Sequence, residues 1–446
     1  MVFPSTRWFF ITLVVLAPVL LSVRPGRDKL AASLSDRARL LLPGSNEFTD
    51  ASLRWSSADP PTYSLIVQVA TEADVKLTVN YANRKRKPFL AISGGHETTS
   101  LVGGLKNGIG IHLSQMNNTP IVDDGQAVLI EGGVLNGDLT ATTGCDCVGF
   151  IAPILGGGHG YNQGRYGKAT DQLLSARIVL TNGTAINISQ EDNPDLFWAI
   201  RGAGHNFGIM TRAKLRKYDV EPGQHQWAAS GFILSYDKLE ALYAIANDWA
   251  KDPNKSPIII AWLYFQGASI PSDLTAPLHA LAPISVDSSV TDIAGANAHL
   301  LANKEGVACA KGFTRKMVPI GVQEYDIAAI RQAFEIFGSV PPAFRNSVMF
   351  TEGYPTNRVK EIDSDSTAYS DRAGEFLLSP LLTYSPNASL DVVADDYDGR
   401  IRDALLGGDR SKLVAYVNYA REDETMQGMY GYEPWRLEKL RRLKKE

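Results

Sequence analysis

The chain has 446 residues, with 44 basic and 48 acidic side chains for a net charge of −4, and 44% of its residues are apolar. That length exceeds one ordinary domain, the apolar fraction suffices for buried cores, and the near balance of charge gives no ground for a nucleic-acid partner. Three cysteines, Cys145, Cys147 and Cys309, lack the numbers for a disulfide framework and the spaced partners of a zinc site, so neither framework nor metal is expected.

In chain order, Arg7 precedes an apolar run from Trp8 to Val23, interrupted by Pro18 and followed by Arg24. A short apolar run after a basic start reads as a signal peptide over residues 1–24, and hence as a secreted protein; an uncleaved anchor is the alternative. No stable membrane partner is expected. Acceptor triplets at Asn117, Asn182, Asn187 and Asn387 agree with secretion and a glycoprotein. Residues 25–59 read as a lead-in segment.

Residues 64–69 form a strand. Thr71-Glu72-Ala73-Asp74 then opens a helix with a capping box, Pro88 closes it, and residues 89–92 make a second strand running into Ser93-Gly94-Gly95-His96. Residues 109–113 and 127–130 are further strands. Residues 176–180 and 185–188 pair as a hairpin about Asn182-Gly183, both turn residues taking positive φ. Asn193 caps a helix that starts at Pro194 and stops at Gly202-Ala203-Gly204, and a strand resumes at Ile209. Beyond residue 219, strands at 226–234 and 258–266 and helices at 237–251 and 322–337 make a sheet covered by helices. A strand at 413–419 and a helix with Leu437, Leu440 and Leu443 at helical spacing close the chain.

Three glycine-bearing constellations carry the chemistry. They are Ser93-Gly94-Gly95-His96, then Gly144-Cys145-Asp146-Cys147-Val148-Gly149 running to Gly156-Gly157-Gly158-His159-Gly160, and then Asp195 to Gly204. Consecutive glycines expose N–H groups that can line a pyrophosphate. Taken singly they are also a tight turn, a structural loop and a packed helix face. None is the G-x-G-x-x-G fingerprint, so a nicotinamide cofactor would rest on glycines alone.

In this order, with Gly164-Arg165-Tyr166-Gly167, Asp171 and Tyr416-Val417-Asn418-Tyr419, the chain resembles the berberine-bridge-enzyme-like branch of the oxidases related to vanillyl-alcohol oxidase, in its fungal form. The likeness is close over residues 64–216, good over 411–445 and loose between. It implies an α+β fold. A two-part FAD-binding domain of the PCMH type would occupy residues 60–218 and a substrate domain on an antiparallel sheet 219–405. A segment at 406–446 would return to the FAD domain.

The resemblance also implies FAD held covalently by His96, with Cys145, three residues before Val148, as a second link. Ser93, Gly94, Gly95, Gly156, Gly157, Gly158 and Gly160 would line the cofactor, and Gly204 and Ile209 would meet it through backbone. The implied reaction takes a hydride from a small alcohol, sugar or secondary-metabolite substrate, with dioxygen as a candidate acceptor. Tyr416 is the candidate base, or else a strand tyrosine packed on the ring, and Tyr419 is the next candidate. Asn418 would hold cofactor or substrate. A tyrosine ionises near pH 10, so a base role calls for a cation or donor that lowers it.

Two departures from the family pattern stand out. Residues 134–143 are shorter than the family's segment by about one ordinary helix, which predicts exposed apolar surface and the weakest part of the fold there. The chain also stops at Lys444-Lys445-Glu446, before the family's usual end. These departures motivate a second reading, a flavin-fold protein without turnover.

Overall fold

The computed structural model describes residues 29–139, 144–251, 258–259 and 262–445. The expected signal peptide and residues 140–143 lie outside them. Among the described residues no helix is long and apolar enough to cross a membrane.

The first sheet is a parallel crossover with an added strand. Tyr63–Gln68 and Phe89–Ile92 both pair in parallel with Gly108–His112. The helix Glu72–Lys85 makes the crossover, as parallel strands require. Its capping box forms as expected: the Thr71 hydroxyl accepts from Asp74 N, and the Asp74 carboxylate accepts from Thr71 N. Val75, Val79 and Ala82, one helical face, are buried against Leu65, Val67, Ile109 and Ile111. Arg39–Leu41 joins this sheet antiparallel to Tyr63–Gln68. The stretch read as a lead-in is therefore built into the fold.

The second sheet is antiparallel, in the order Ile121–Val122, Ala127–Glu131, Ile209–Arg216, Leu173–Val179, Ala185–Ser189. The expected hairpin is there, but its turn differs. Only Gly183 has a positive φ (82°), because Gly183 N bonds back to Leu180 O and Leu180 N to Thr184 O, a wider loop than a two-residue turn. Asn193 stands at the N-cap of the helix Pro194–Ala203, where its carbonyl accepts from Phe197 N, but its side chain makes no cap. It sits in the left-handed region, and its amide donates to Asn187 O instead.

The third sheet has eight antiparallel strands, with the wholly buried Phe376–Tyr384 paired to Val348–Gly353, Thr314–Met317 and Ile320–Val322. Trp227–Ile233 appears where expected. The single strand expected at 258–266 is two, Ile258–Ile259 and Leu263–Gln266, paired back on each other. The helix expected at 322–337 starts later, Ile327–Gly338, because the Asp326 carboxylate caps it through Ala328 N and Ala329 N. Strands with helices over an antiparallel sheet give the expected α+β class.

Residues 413–419 are not a strand. Their backbone groups are divided among unrelated partners: Gly321 N donates to Val414 O, Ala415 N to Gly428 O, and Tyr419 N turns back onto Tyr416 O. The helix Pro434–Lys445 follows and buries Leu437 and Leu440. The described part of the short segment is tied in. Asn136 N bonds to Val148 O, Gly137 N to Asp146 O and Phe150 N to Val134 O, and Val134 is fully buried.

Candidate active site

The strand Phe89–Ile92 delivers Ser93 to a turn that presses on the second glycine loop. A side chain at Gly94 would meet Cys147 O at 2.4 Å and Gly149 N at 2.8 Å, so the two loops touch backbone to backbone. This contact brings His96 and Cys145 together, with Nε2 and Sγ 3.8 Å apart. The His96 ring stacks on Trp55 with centroids 4.4 Å apart, and the Arg315 guanidinium lies 4.6 Å from the Trp55 ring. Burial, and next the Arg315 charge, holds the His96 imidazole down to about 3, so the ring is neutral. Burial pushes the Cys145 thiol up.

The expectation that the cysteines form no disulfide framework needs one correction: Cys147 is bonded to Cys309. The partners lie 162 residues apart, so no spacing announces the bond. Cys145 is left as the free thiol, with its Sγ 3.9 Å from Cys309 Sγ.

The second loop follows the short helix Ile151–Leu155. Gly157 has φ +111°, and a side chain there would strike the Tyr369 ring at 2.5 Å. Gly156 faces Asn418, Gly158 faces Ala169, and Gly160 N donates to Gln163 Oε1 at 3.4 Å. The C-terminal segment closes over this loop. Asn418 Nδ2 donates to the Tyr416 hydroxyl at 2.6 Å and to Pro153 O at 3.0 Å, and His159 N donates to the same hydroxyl at 3.3 Å. The Tyr419 ring stands edge-on to Tyr416 at 4.9 Å. The donors called for at Tyr416 are present, yet burial outweighs them and pushes the phenol up to about 12. Gly204 packs against Leu155. The Ile209 side chain sits in the apolar core with Val67 and Val179, and its strand pairs with Val179.

The structure adds residues that the motifs did not flag. A pocket beside Tyr416 is lined by His159, Gln163, Tyr354, Asp371 and Phe376 among others. Lys168 is buried behind His159, and Glu352 is buried two residues before Tyr354. His159 belonged to the quoted glycine run and could have been singled out. Lys168 directly follows the quoted Gly164–Gly167 segment and was not singled out, whereas Glu352 and Tyr354 come from a segment without a motif.

Residues 63–189 match the family model of an FAD binding domain. The FAD-linked oxidoreductase chyH of Penicillium rubens is 36% identical, over 94% of this chain and 90% of that protein. The chain belongs to the FAD-linked oxidoreductases. Solved structures share the fold. Physcomitrella patens BBE-like 1 superposes with TM-score 0.77 at 20% identity over 92% of this chain and 94% of its own. Acremonium strictum glucooligosaccharide oxidase, described with a 6-S-cysteinyl, 8α-N1-histidyl FAD, superposes with TM-score 0.77 at 18% identity over 94% and 96%.

This FAD-linked oxidoreductase has a donor set that suits its cofactor. A neutral imidazole and a free thiol share one wall. Ser93 Oγ, in the turn before them, and Asn418 Oδ1, against the second glycine loop at Gly156, are buried without a hydrogen-bond partner among the described residues. Buried polar atoms of this kind call for a partner.

Proposed function

We propose that the FAD is attached covalently through His96, with Cys145 as a second link, and that the enzyme oxidises a small alcohol, sugar or secondary metabolite with dioxygen as electron acceptor. The observation that carries this reading is the 3.8 Å approach of His96 Nε2 to Cys145 Sγ. Two nucleophiles so close can both reach the benzenoid end of one flavin, the end that carries both links in the 6-S-cysteinyl, 8α-N1-histidyl FAD of glucooligosaccharide oxidase. On this reading residues 60–218 hold FAD, 219–405 bind substrate and 406–446 return to the cofactor. Ser93, Gly94 and Gly95 hold the ring edge, and Gly156, Gly157, Gly158 and Gly160 the facing loop.

Bound FAD supplies a two-electron acceptor for hydride. The chain supplies the rest. Two N–H donors converge on the Tyr416 oxygen, and neither can accept its proton, so the phenolic hydrogen is free for the pocket. The same donors stabilise the phenolate that takes the substrate's hydroxyl proton. Asn418 fixes that oxygen over the glycine loop. Secretion agrees with the N-terminal run and with the Cys147–Cys309 bond, since disulfides persist in oxidising compartments. Reduction of the protein-bound flavin, followed by its absorbance while alcohols and sugars are added without oxygen, tests the reading. A flavin that no such compound bleaches favours the fold without turnover.

A further inference from the structure

The loop that carries Cys145 and Cys147 meets the segment around Cys309 with three sulfurs in one place. Cys147 is bonded to Cys309, and the free Cys145 Sγ lies 3.9 Å from Cys309 Sγ. Cys145 also faces His96, at 3.8 Å. The free thiol thus lies against both a disulfide sulfur and the histidine read as the flavin link.

Contacts other than the disulfide hold the three sulfurs together. Asp146, between the two loop cysteines, donates through N to Ala302 O at 2.9 Å, and its carboxylate accepts from Asn297 Nδ2 at 2.8 Å. On the other side, Ala308 O accepts from Trp55 Nε1 at 2.6 Å and Ala310 O from Arg315 Nη1 at 2.7 Å, which fixes both neighbours of Cys309. Breaking the Cys147–Cys309 bond removes none of these contacts, so the sulfurs stay within reach of one another.

A thiolate exchanges with a disulfide by attacking one sulfur and expelling the other. Here Cys145 Sγ attacks Cys309 Sγ. A Cys145–Cys309 bond forms, the Cys147–Cys309 bond breaks, and Cys147 leaves as the thiolate. The proton that Cys145 gives up ends on Cys147. One disulfide and one thiol enter and one of each leaves, so no oxidant or reductant is consumed. Burial pushes the Cys145 thiol up, which makes its thiolate scarce and the exchange slow. Because the bond made is of the same kind as the bond broken, the surroundings alone set the balance between the two isomers.

We propose that Cys309 is shared between Cys147 and Cys145, and that this exchange sets how many bonds the flavin receives. Only the Cys147–Cys309 isomer leaves Cys145 as a thiol for the cofactor. The Cys145–Cys309 isomer confines attachment to His96. A flavin bonded to Cys145 removes the attacking thiol and locks the Cys147–Cys309 bond. The effect on attachment rests on the reading of Cys145 as a flavin link; the exchange itself does not.

The test maps the bonds in the full chain, produced in a host limited for riboflavin so that part of it carries no flavin. The protein is denatured in acid, where thiolates are lost and exchange stops, and its thiols are blocked with N-ethylmaleimide. It is then cut, unreduced, on the N-terminal side of Asp146, which separates Cys145 from Cys147. Flavin-free wild type should show both isomers, with maleimide on Cys145 in one and on Cys147 in the other. Maleimide on Cys145 alone overturns the proposal, and this map needs no variant to fold. Cys147→Ser should pair Cys145 with Cys309 and carry flavin at His96 only, and adding Cys309→Ser should restore the Cys145 link. A Cys147→Ser protein with maleimide on Cys309 and flavin on Cys145 also overturns it. If Cys145 carries flavin neither in flavin-loaded wild type nor in the double variant, the second-link reading fails and takes the claim on bond number with it. The map still decides the exchange.

Discussion

Replacing Glu352 with glutamine should remove a pH-dependent weakness of the fold. Glu352 lies on the strand Val348–Gly353, 7% exposed, with one carboxylate oxygen that has no hydrogen-bond partner among the described residues. Burial pushes its carboxyl from 4.5 up to about 7, against the pull of Tyr354 and Lys168. Its folded pKa is raised, so its stabilising contribution is fully present below the unfolded value and lost as pH rises through the folded one. That difference in proton affinity corresponds to about 3 kcal/mol. Glu352→Gln keeps the shape and abolishes the titration. Urea unfolding of both proteins at steps from about pH 4.5 to 8 measures the difference; groups that do not interact with Glu352 cancel, and Lys168, which burial brings down to about 7 and whose charge Glu352 favours, titrates differently in the two proteins. The variant should gain on wild type by about 3 kcal/mol across that window. A difference that does not change with pH would refute the reasoning.

Other substitutions test separate parts. Arg372→Met leaves Asp171, its partner in a pair whose side chains are each 6% exposed, as a buried lone charge; the cost should be about 3–5 kcal/mol in chemical unfolding, partly recovered by adding Asp171→Asn. Tyr416→Phe should slow flavin reduction by about 10²–10⁴-fold with the melting temperature little changed. Because burial holds Tyr416 up to about 12, wild-type reduction should accelerate with pH through the neutral and alkaline range, and that rise should vanish in the variant. Cys309→Ser should cost about 2–4 kcal/mol of stability and abolish the mobility difference between reduced and unreduced protein on gels.

The sequence was most legible where the signals are local. The Thr71–Asp74 box needs only four residues and formed as read. The glycine turns brought His96 and Cys145 together because glycine alone admits the contact at Gly94. Residues 413–419 misled because a short continuous apolar run resembles a buried strand wherever its hydrogen-bond partners go, and here the partners are scattered. The strand Ser285–Thr291 was missed for the opposite reason: it is a polar, largely exposed neighbour of Trp227–Ile233, with no apolar alternation to read. Asn182 and Asn193 have the right residue type, but the loop around each sets another geometry. The Cys147–Cys309 bond and the Lys168–His159 contact arise only from tertiary folding. In the first case 162 residues separate the partners, and in the second burial, not spacing, makes the contact informative.

The central claim is that FAD is linked to the chain at His96. Purified protein is precipitated in acid, the pellet is washed and digested, and the flavin-bearing peptides are identified by mass. The account predicts a yellow pellet, with flavin on the peptide that contains His96 and, where the second link has formed, cross-linked to the peptide that contains Cys145. A colourless pellet, with all the flavin in the supernatant, would contradict it.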